Sequence, residues 1–267
     1  MAKVHLTLGT KGGIGKSIIT VILAQYLAEK QAQAKRNAPL CFDLDPSCRT
    51  FSGYAAFNAQ FIDLLKDGEI VQHHFDALIG KIDAAKKDDV VMIDTGGNTY
   101  NALVAYLRAS NVVPFLTQEI DDPTDPAKKR KMPKNEFFVH LPISGGGELK
   151  TTMICFDNVA KFFPDAQLVA WLNPFLGSMV LDGGMDCYSE FEKTAVFKDN
   201  AAHLAGIAKM PEWSALMKHD VAAMFKSSRT FEQCLADKNL NIMERQRLVM
   251  AKRTLWDLLD NIEEISQ

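Results

Sequence analysis

The sequence predicts an α/β protein with a doubly wound, mostly parallel sheet of about seven strands and helices on both faces. Three observations support this prediction. A glycine-rich turn separates an apolar run at 4–8 from a helical pattern at 18–27. Two further apolar segments, at 39–46 and 90–94, carry aspartates at their carboxyl ends, where parallel sheets of this kind bind ligands. No repeat or long linker divides the 267 residues, so we expect one domain over 1–267.

The composition sets broad limits on function. With 47% hydrophobic residues the chain can bury an ordinary core, and a net charge of -3 argues against a wholly basic nucleic-acid binder. The five cysteines show no CxxC spacing, so we expect reduced thiols rather than a disulfide frame or a metal site. No signal peptide or transmembrane run is expected, which predicts a soluble, cytoplasmic protein.

The glycine-rich turn reads Thr10-Lys11-Gly12-Gly13-Ile14-Gly15-Lys16-Ser17. A strand, a glycine turn ending in Lys-Ser and a helix are the context of a phosphate-binding loop, as in P-loop NTPases. Backbone amides and the helix N-terminus would hold an anion, Lys16 would reach the outer phosphates, and Ser17 would ligate magnesium. The usual pattern has glycine where Thr10 stands, so a glycine-rich turn with unrelated lysines is the alternative.

Two strand ends carry candidate carboxylates. Asp43 and Asp45 are two residues apart and can face the same side of a strand, although an N-cap before Pro46 is the alternative. Asp94 ends the run at 90–93 and would hold magnesium through water. The glycines at 96–97 would let the backbone approach a γ-phosphate.

The remaining pattern predicts further elements in order. The segment 50–85 looks mostly helical, with an aromatic stripe in the core and an amphipathic helix at 75–85. We predict strands at 111–116, 137–143, 167–175 and 203–210, and helices at 98–110, 148–163 and 186–197. The triple glycine 145–147 is interpreted as a strand-to-helix turn. From 221 to 267 the chain is expected to be helical, with a break near 237–241.

Two basic segments are candidate nucleic-acid contacts. One is the run Lys128–Lys131, in a proline-rich loop insertion near 119–136, and the other is Arg245–Arg253 on the last helix. For both, an ordinary solvated surface is the alternative. The tail 257–267 is acidic, which argues against membrane targeting by a basic amphipathic helix.

The phosphate loop and the two aspartate motifs together resemble those of the ParA/MinD family of ATPases. The loop shares the family's Lys-Gly-Gly-x-Gly-Lys-Ser pattern, in which Lys11 is the signature lysine. The likeness extends to the plasmid-borne TraL/StbB-like branch of conjugative transfer and stability proteins. It rests there on 50–54, 171–174, 229–232 and 242–248, so that it covers nearly the whole chain.

The resemblance implies an ATP-dependent switch that dimerises around two nucleotides and acts with a plasmid-encoded partner protein. It implies that Lys11 reaches the partner's phosphates, that Asp45 orients the attacking water, and that Asp43 supports the magnesium shell. Asn173 would read adenine and Pro211 would flank it. The implied ATP or ADP contacts also include Gly12, Gly13, Ile14, Gly15, Lys16, Ser17 and Ile18.

The chain departs from the family at two positions near the site. Thr95, Gly96 and Gly97 follow Asp94 where ParA proteins have Asp-x-Pro-Pro, and Cys48 stands where the plasmid branch has asparagine. A small-molecule kinase or ligase of related fold, or a nucleotide-gated binding module that hydrolyses almost nothing, are the alternative functions. An iron–sulfur reductase is disfavoured by the cysteine spacing.

Overall fold

A computed structural model describes residues 1–121 and 131–266. The strands in this part of the chain are β1 Ala2–Thr7, β2 Leu40–Asp43, β3 Gln60–Phe61, β4 Leu65–Lys66, β5 Glu69–Ile70, β6 Val90–Asp94, β7 Glu119–Asp121, β8 Lys131–Pro133, β9 Asn135–Ser144, β10 Gln167–Asn173 and β11 Leu204–Lys209. The α-helices are α1 Lys16–Gln33, α2 Phe75–Asp83, α3 Tyr100–Ala109, α4 Val112–Thr117, α5 Leu149–Phe162, α6 Cys187–Glu190, α7 Ala195–Asn200, α8 Ala215–Lys226, α9 Phe231–Leu235, α10 Ile242–Asp260 and α11 Glu263–Ser266.

Seven strands form the main sheet in the order β11-β10-β9-β1-β6-β2-β3. Every neighbouring pair in this sheet is parallel. The chain runs from β1 outward to β2, returns to β6 beside β1, and then crosses to β9 on the other side of β1. The strand order therefore reverses at β1, which confirms the predicted doubly wound α/β fold.

The sheet is covered on both faces, and alternate residues of each strand face opposite layers. Val4 and Leu6 of β1 join a core cluster that includes α2 to α5. Met92 of β6 and Trp171 of β10 face the other way, into a cluster with α1 and the C-terminal helices α8 to α10. Burial on both faces explains why these strands read as nearly continuous apolar runs.

The strand predicted at 111–116 is wrong, because these residues form helix α4. Asn111 adopts a left-handed conformation with φ 50° and turns the chain sharply after α3. Pro114 is the third residue of α4, where a missing backbone N–H leaves no helical hydrogen bond unmade. Val112, Val113 and Leu116 are buried on one helix face while Phe115 is exposed, a spacing that a strand does not give.

The mostly helical prediction for 50–85 is also wrong, apart from its last part, where α2 forms as expected. Residues 50–74 contain short 3-10 turns, the short strand β3 and an antiparallel hairpin of β4 and β5. The hairpin turn is Asp67-Gly68, with φ 53° and 83°, a pair that favours a tight two-residue turn. The predicted aromatic core is confirmed for Phe51 and Tyr54, which are buried.

The other predicted elements lie close to their expected positions. The triple glycine leads from β9 through a 3-10 turn into α5, as predicted. The helix predicted at 186–197 is divided into α6, a 3-10 turn and α7, whose N-cap is Thr194. The C-terminal helices α8 to α11 begin at Ala215, earlier than the predicted 221. Within the described residues, no helix has the length and apolar character needed to cross a membrane.

Candidate functional site

The glycine-rich turn lies at the carboxyl end of β1, where the strand order of the sheet reverses. It connects β1 to α1, and Gly15 is the N-cap of α1 with φ 103°. Gly13 also has a positive φ, of 76°, so both positions need the conformational freedom of glycine. The turn therefore directs backbone amides and a helix N-terminus towards the point where open α/β sheets bind ligands.

Gly9 and Gly97 allow the backbone to pack closely around this turn. A Cβ atom on Gly9 would lie 2.8 Å from Cδ1 of Ile14, and one on Gly97 would lie 2.7 Å from the amide nitrogen of Gly12. Gly9 precedes Thr10, the position at which the usual motif has its first glycine. The close packing at Gly97 places the loop after β6 directly against the glycine-rich turn.

Lys16 is buried, with 5% of its surface exposed, and its side chain folds back over the turn. Its Nζ donates a hydrogen bond of 2.5 Å to the carbonyl oxygen of Lys11. Burial lowers the pKa of Lys16, while the carboxylates of Asp94 and Asp45 act in the opposite direction. The ammonium group is thus held inside the concave side of the turn, where a phosphate oxygen would compete with the Lys11 carbonyl.

Asp94 lies at the end of β6 and is fully buried. Its Oδ1 accepts a hydrogen bond of 2.8 Å from Thr20 Oγ1, whereas its Oδ2 has no hydrogen-bond partner among the described residues. Burial raises the pKa of Asp94 to about 6, although the nearby hydroxyl groups of Ser17 and Thr20 oppose the rise. A buried carboxylate with one free oxygen needs a further positive group or donor to satisfy it.

Ser17 and Asp94 fit a magnesium ion whose other ligands are water molecules and the phosphates of a bound nucleotide. No group of three His, Cys, Asp or Glu side chains in the described part of the chain could hold a metal ion. Magnesium in nucleotide sites takes few protein ligands and keeps several water molecules beside substrate phosphates. The Ser17 hydroxyl and the free Oδ2 of Asp94 are the donor types that such an ion uses.

Asp43 and Asp45 shape the loop that follows β2. Asp43 pairs with Asp94 in the register of β2 and β6, and its two oxygens accept hydrogen bonds from the amides of Asp45 and Ser52, at 2.9 and 2.8 Å. Asp45 Oδ1 accepts from the amides of Ser47 and Cys48, at 2.8 and 3.3 Å. The Asp43 carboxylate therefore orders the chain that carries Asp45 beside the glycine-rich turn.

The loops after β2 and β6 are also joined to each other. Asn98 Nδ2 donates to Ser47 Oγ at 2.9 Å, and Thr99 Oγ1 donates to the Leu44 carbonyl at 3.1 Å. A Cβ on Gly96 would lie 2.7 Å from Asp45 Oδ1. Movement of one loop would therefore displace the other.

Ser144 and Asn173 hold the glycine-rich turn from the other side of β1. Both donate to the carbonyl of Ile14, Ser144 from Oγ at 3.0 Å and Asn173 from Nδ2 at 3.4 Å. Asn173 Oδ1 accepts from the Phe175 amide at 3.1 Å, so both ends of this side-chain amide have partners. Pro211 follows β11, next to the end of β10.

Lys11 is paired within its own chain. Its Nζ lies 2.8 Å from Oε1 and 2.7 Å from Oε2 of Glu148, the residue just before α5. The structure thus brings together eleven of the predicted residues: Lys11, Gly12, Gly13, Ile14, Gly15, Lys16, Ser17, Asp43, Asp45, Asp94 and Asn173. Ile18, in the first turn of α1, is partly exposed.

Sequence reasoning did not identify Thr20, Ser144 or Glu148 as parts of this site. Thr20 is one helical turn after the Lys-Ser pair, so its position on the same face as Lys16 was available from the spacing. Ser144 ends an apolar run, as Asp94 does, but serine at a strand end is too common to indicate a site. Nothing in the sequence pairs Glu148 with Lys11, because 137 positions separate them.

The structure describes all of the second basic segment, Arg245–Arg253, but only Lys131 of the first. Residues 128–130 of the first segment lie outside the described residues, and Lys131 forms an ion pair with Asp121. The β7–β8 pair precedes the amino end of β9, so it lies at the opposite end of the sheet from the glycine-rich turn. On α10, Arg247 pairs with Asp220 and Lys252 with Glu29.

Fold and site together define a doubly wound P-loop NTPase fold, with Lys11 and Lys16 in its glycine-rich turn. No family model matches the sequence. The chain is 37% identical to a protein TraL of Escherichia coli over 262 residues, covering 97% of this chain and 98% of that protein. It is 35% identical to a second Escherichia coli protein TraL over 263 residues, covering 98% of each chain. The chain belongs to the TraL family.

Among solved structures, the chain is similar to the MinC:MinD cell division protein complex of Aquifex aeolicus. The identity is 13% and the TM-score is 0.47, with 96% of each chain covered.

Proposed function

We propose that this TraL-family chain is a ParA-like switch ATPase that binds ATP with magnesium and hydrolyses it slowly. The main supporting observation is the free Oδ2 of Asp94, which is fully buried beside Ser17 and Lys16. A buried carboxylate oxygen without a partner is costly in the free protein, and it is the group that a magnesium-bound water would satisfy.

The phosphates of ATP would lie in the glycine-rich turn. The backbone amides of 12–17 and the N-terminus of α1 would surround them, with Ile18 following in the first helical turn. Lys16 would exchange the Lys11 carbonyl for phosphate oxygens. Ser17 and Asp94 would hold magnesium, with Asp43 supporting its shell, and the ion would neutralise charge that builds on the phosphates during hydrolysis. Asn173 and Pro211 are proposed to contact the adenine base of ATP.

Hydrolysis would depend on two further residues. Asp45 is proposed to orient the attacking water, and its link to the loop after β6 would couple water positioning to the nucleotide state. Lys11 is proposed to reach the phosphates bound by a second copy of this chain, so that ATP drives formation of a homodimer. Phosphoryl transfer needs mainly such positioned charges and an oriented water.

The cellular role is proposed from membership of the TraL family. The chain would act in the cytoplasm, in plasmid conjugative transfer, partition or stability, together with a plasmid-encoded partner protein. DNA contacts are proposed through Lys128–Lys131 or Arg245–Arg253. ATP turnover measured with and without DNA would show whether either surface is linked to the switch.

Replacing Lys11 with alanine tests the switch. We expect Lys11→Ala to lower ATP turnover at least about 10-fold and to abolish ATP-dependent dimerisation, because the cross-dimer charge is lost. Turnover assays and analytical ultracentrifugation with ATP or ADP provide the readouts. Lys161→Ala, which removes an exposed ion pair with Asp157, is the control. Normal dimerisation and turnover in Lys11→Ala would contradict the proposed role of Lys11.

A further inference from the structure

We infer that Glu148 holds Lys11 in the free subunit and so opposes dimerisation until ATP is bound. This inference rests on the proposed function, because it concerns the lysine that would cross to the second copy of the chain. Both oxygens of the Glu148 carboxylate contact the Lys11 ammonium, at 2.8 and 2.7 Å. Lys11 is half exposed, so its side chain can leave this carboxylate without disturbing the core.

The backbone of Glu148 is fixed relative to the glycine-rich turn. Thr152 Oγ1 lies 2.9 Å from the Glu148 carbonyl, to which it can donate, and it accepts from the Ser144 amide at 3.1 Å. The Ser144 hydroxyl in turn donates to the carbonyl of Ile14 in the turn. This hydrogen-bonded connection sets the distance between Glu148 and the chain that carries Lys11.

The glycines before Glu148 restrict its position further. A Cβ on Gly145 would lie only 2.0 Å from the carbonyl oxygen of Gly177, and the Gly146 amide donates to the Ser178 carbonyl at 2.7 Å. The 3-10 turn before α5 is therefore packed against the loop after β10, which leaves little freedom for the backbone. Lys11 in the glycine-rich turn and Glu148 before α5 therefore lie on two segments whose backbones are each held in place.

One ammonium group cannot serve Glu148 and a partner's phosphate together. Dimerisation must break two Lys11–Glu148 pairs, one in each subunit, and each pair opposes it by the strength of an exposed ion pair. The ATP phosphates of the second subunit offer more negative charge than one carboxylate, so they can displace Glu148. Because Glu148 must be displaced, dimerisation would depend more strongly on how many phosphates the nucleotide in the second subunit carries.

Replacement of Glu148 with glutamine tests the competition. We expect Glu148→Gln to lower the dimer dissociation constant with ATP by about 10-fold, since two exposed pairs no longer have to be broken. Glu190→Gln, which removes the exposed ion pair with Lys193, should leave the constant unchanged. In Lys11→Ala, which is expected not to dimerise with ATP, the further change Glu148→Gln should not restore dimerisation, because Glu148 acts through Lys11. An equal or weaker dimer in the single variant Glu148→Gln would overturn the inference.

A second measurement keeps this inference separate from the proposed function. The rate at which an amine-reactive acetylating reagent modifies Lys11 is measured by mass spectrometry on the nucleotide-free monomer. We expect Glu148→Gln to raise this rate about 3-fold, because the ammonium is released from the carboxylate. An unchanged rate would overturn the ion pair itself. Failure of the wild-type chain to dimerise with ATP would instead overturn the proposed switch, whatever the labelling shows.

Discussion

At the scale of single residues, the site combines groups that are costly to bury with few partners inside the protein. Asp94 is fully buried with one free oxygen, and Lys16 is buried against a backbone carbonyl. Neither arrangement improves the stability of the free chain, since buried charges are favourable only when well paired. Both are explained if a bound phosphate and its metal ion complete the site.

The cost of Asp94 can be measured directly. We expect Asp94→Asn to make the nucleotide-free protein more stable at pH 7 by roughly 1 to 2 kcal/mol, because the amide removes a buried charge and keeps an oxygen for Thr20. The direction follows from the raised pKa of Asp94, which means that burial disfavours the ionised form.

Urea unfolding of wild type and Asp94→Asn measures the difference in stability. A magnesium titration in the presence of ATP measures the loss of magnesium affinity expected in the variant. Thr20→Val, which removes the donor to Oδ1, should destabilise the protein and serves as the contrasting change. A nucleotide-free Asp94→Asn protein less stable than wild type would show that Asp94 has a structural role instead.

The residues of the site that could be predicted are those whose neighbours in sequence reveal them. Lys16 and Ser17 follow glycines between a strand and a helix, and Asp94 ends an apolar run. Glu148 and Ser144 could not be predicted in this way, because their partners Lys11 and Ile14 lie more than a hundred positions away. Only the order of strands in the sheet brings them together.

At the scale of elements, three neighbouring strands share a buried hydrogen-bonded network. His5 on β1 contacts His140 on β9, Nδ1 to Nε2 at 3.0 Å, and Trp171 Nε1 on β10 donates to His140 Nδ1 at 3.1 Å. Because His140 Nδ1 accepts a hydrogen bond, the proton of this ring lies on Nε2, which donates to Nδ1 of His5. Both imidazole rings are therefore neutral. His5 also stacks on Phe138, with ring centroids 4.9 Å apart.

This network makes stability depend on pH. Burial lowers the pKa of His140 to about 3 and that of His5 well below 6.5, whereas the unfolded chain titrates near 6.5. Below that pH the unfolded state binds more protons than the folded state, so stability falls as pH falls. The loss is up to about 1.4 kcal/mol per pH unit for each histidine, and it is absent above pH 7.

Replacing His5 with phenylalanine should therefore reduce the slope of stability against pH between 6 and 5 by about 1 kcal/mol per unit. The same change should lower stability at pH 7.5, because the His140 Nε2 donor loses its acceptor. Denaturant unfolding at several pH values measures both effects. The exposed His73, replaced by glutamine, is the control, and a slope equal to that of wild type in His5→Phe would refute the assignment.

Secondary-structure elements could be predicted where the sequence pattern was compatible with one structure. They could not be predicted where it was compatible with both a strand and a helix. The apolar runs that became β1, β6, β9 and β10 are nearly continuous, without the one-sided spacing of an amphipathic helix, and the structure buries them on both faces. Residues 112–116 include two β-branched valines and a phenylalanine, yet packing on one side made them a helix. The Asp67-Gly68 turn is a hairpin signal within a stretch whose aromatic spacing suggested a helix.

At the scale of the whole molecule, the sheet separates two ends with different character. The glycine-rich turn and the three aspartates lie at the carboxyl end of the strands, and the β7–β8 pair lies at the amino end. If DNA binds at Lys131 in β8, its effect must therefore pass through the sheet to reach the glycine-rich turn. Contacts through α10 would instead compete with its ion pairs to Asp220 and Glu29.

The proposed function depends most on one claim, that ATP binds with magnesium in the glycine-rich turn. Isothermal titration calorimetry of the wild-type chain with ATP, with and without magnesium, tests this claim directly. We expect saturable binding of one ATP per chain, strengthened by magnesium, and at least a 100-fold loss of affinity in Lys16→Ala, because a buried ammonium on the phosphates is removed. Absence of binding by the wild type, or equal affinity in Lys16→Ala, would contradict it.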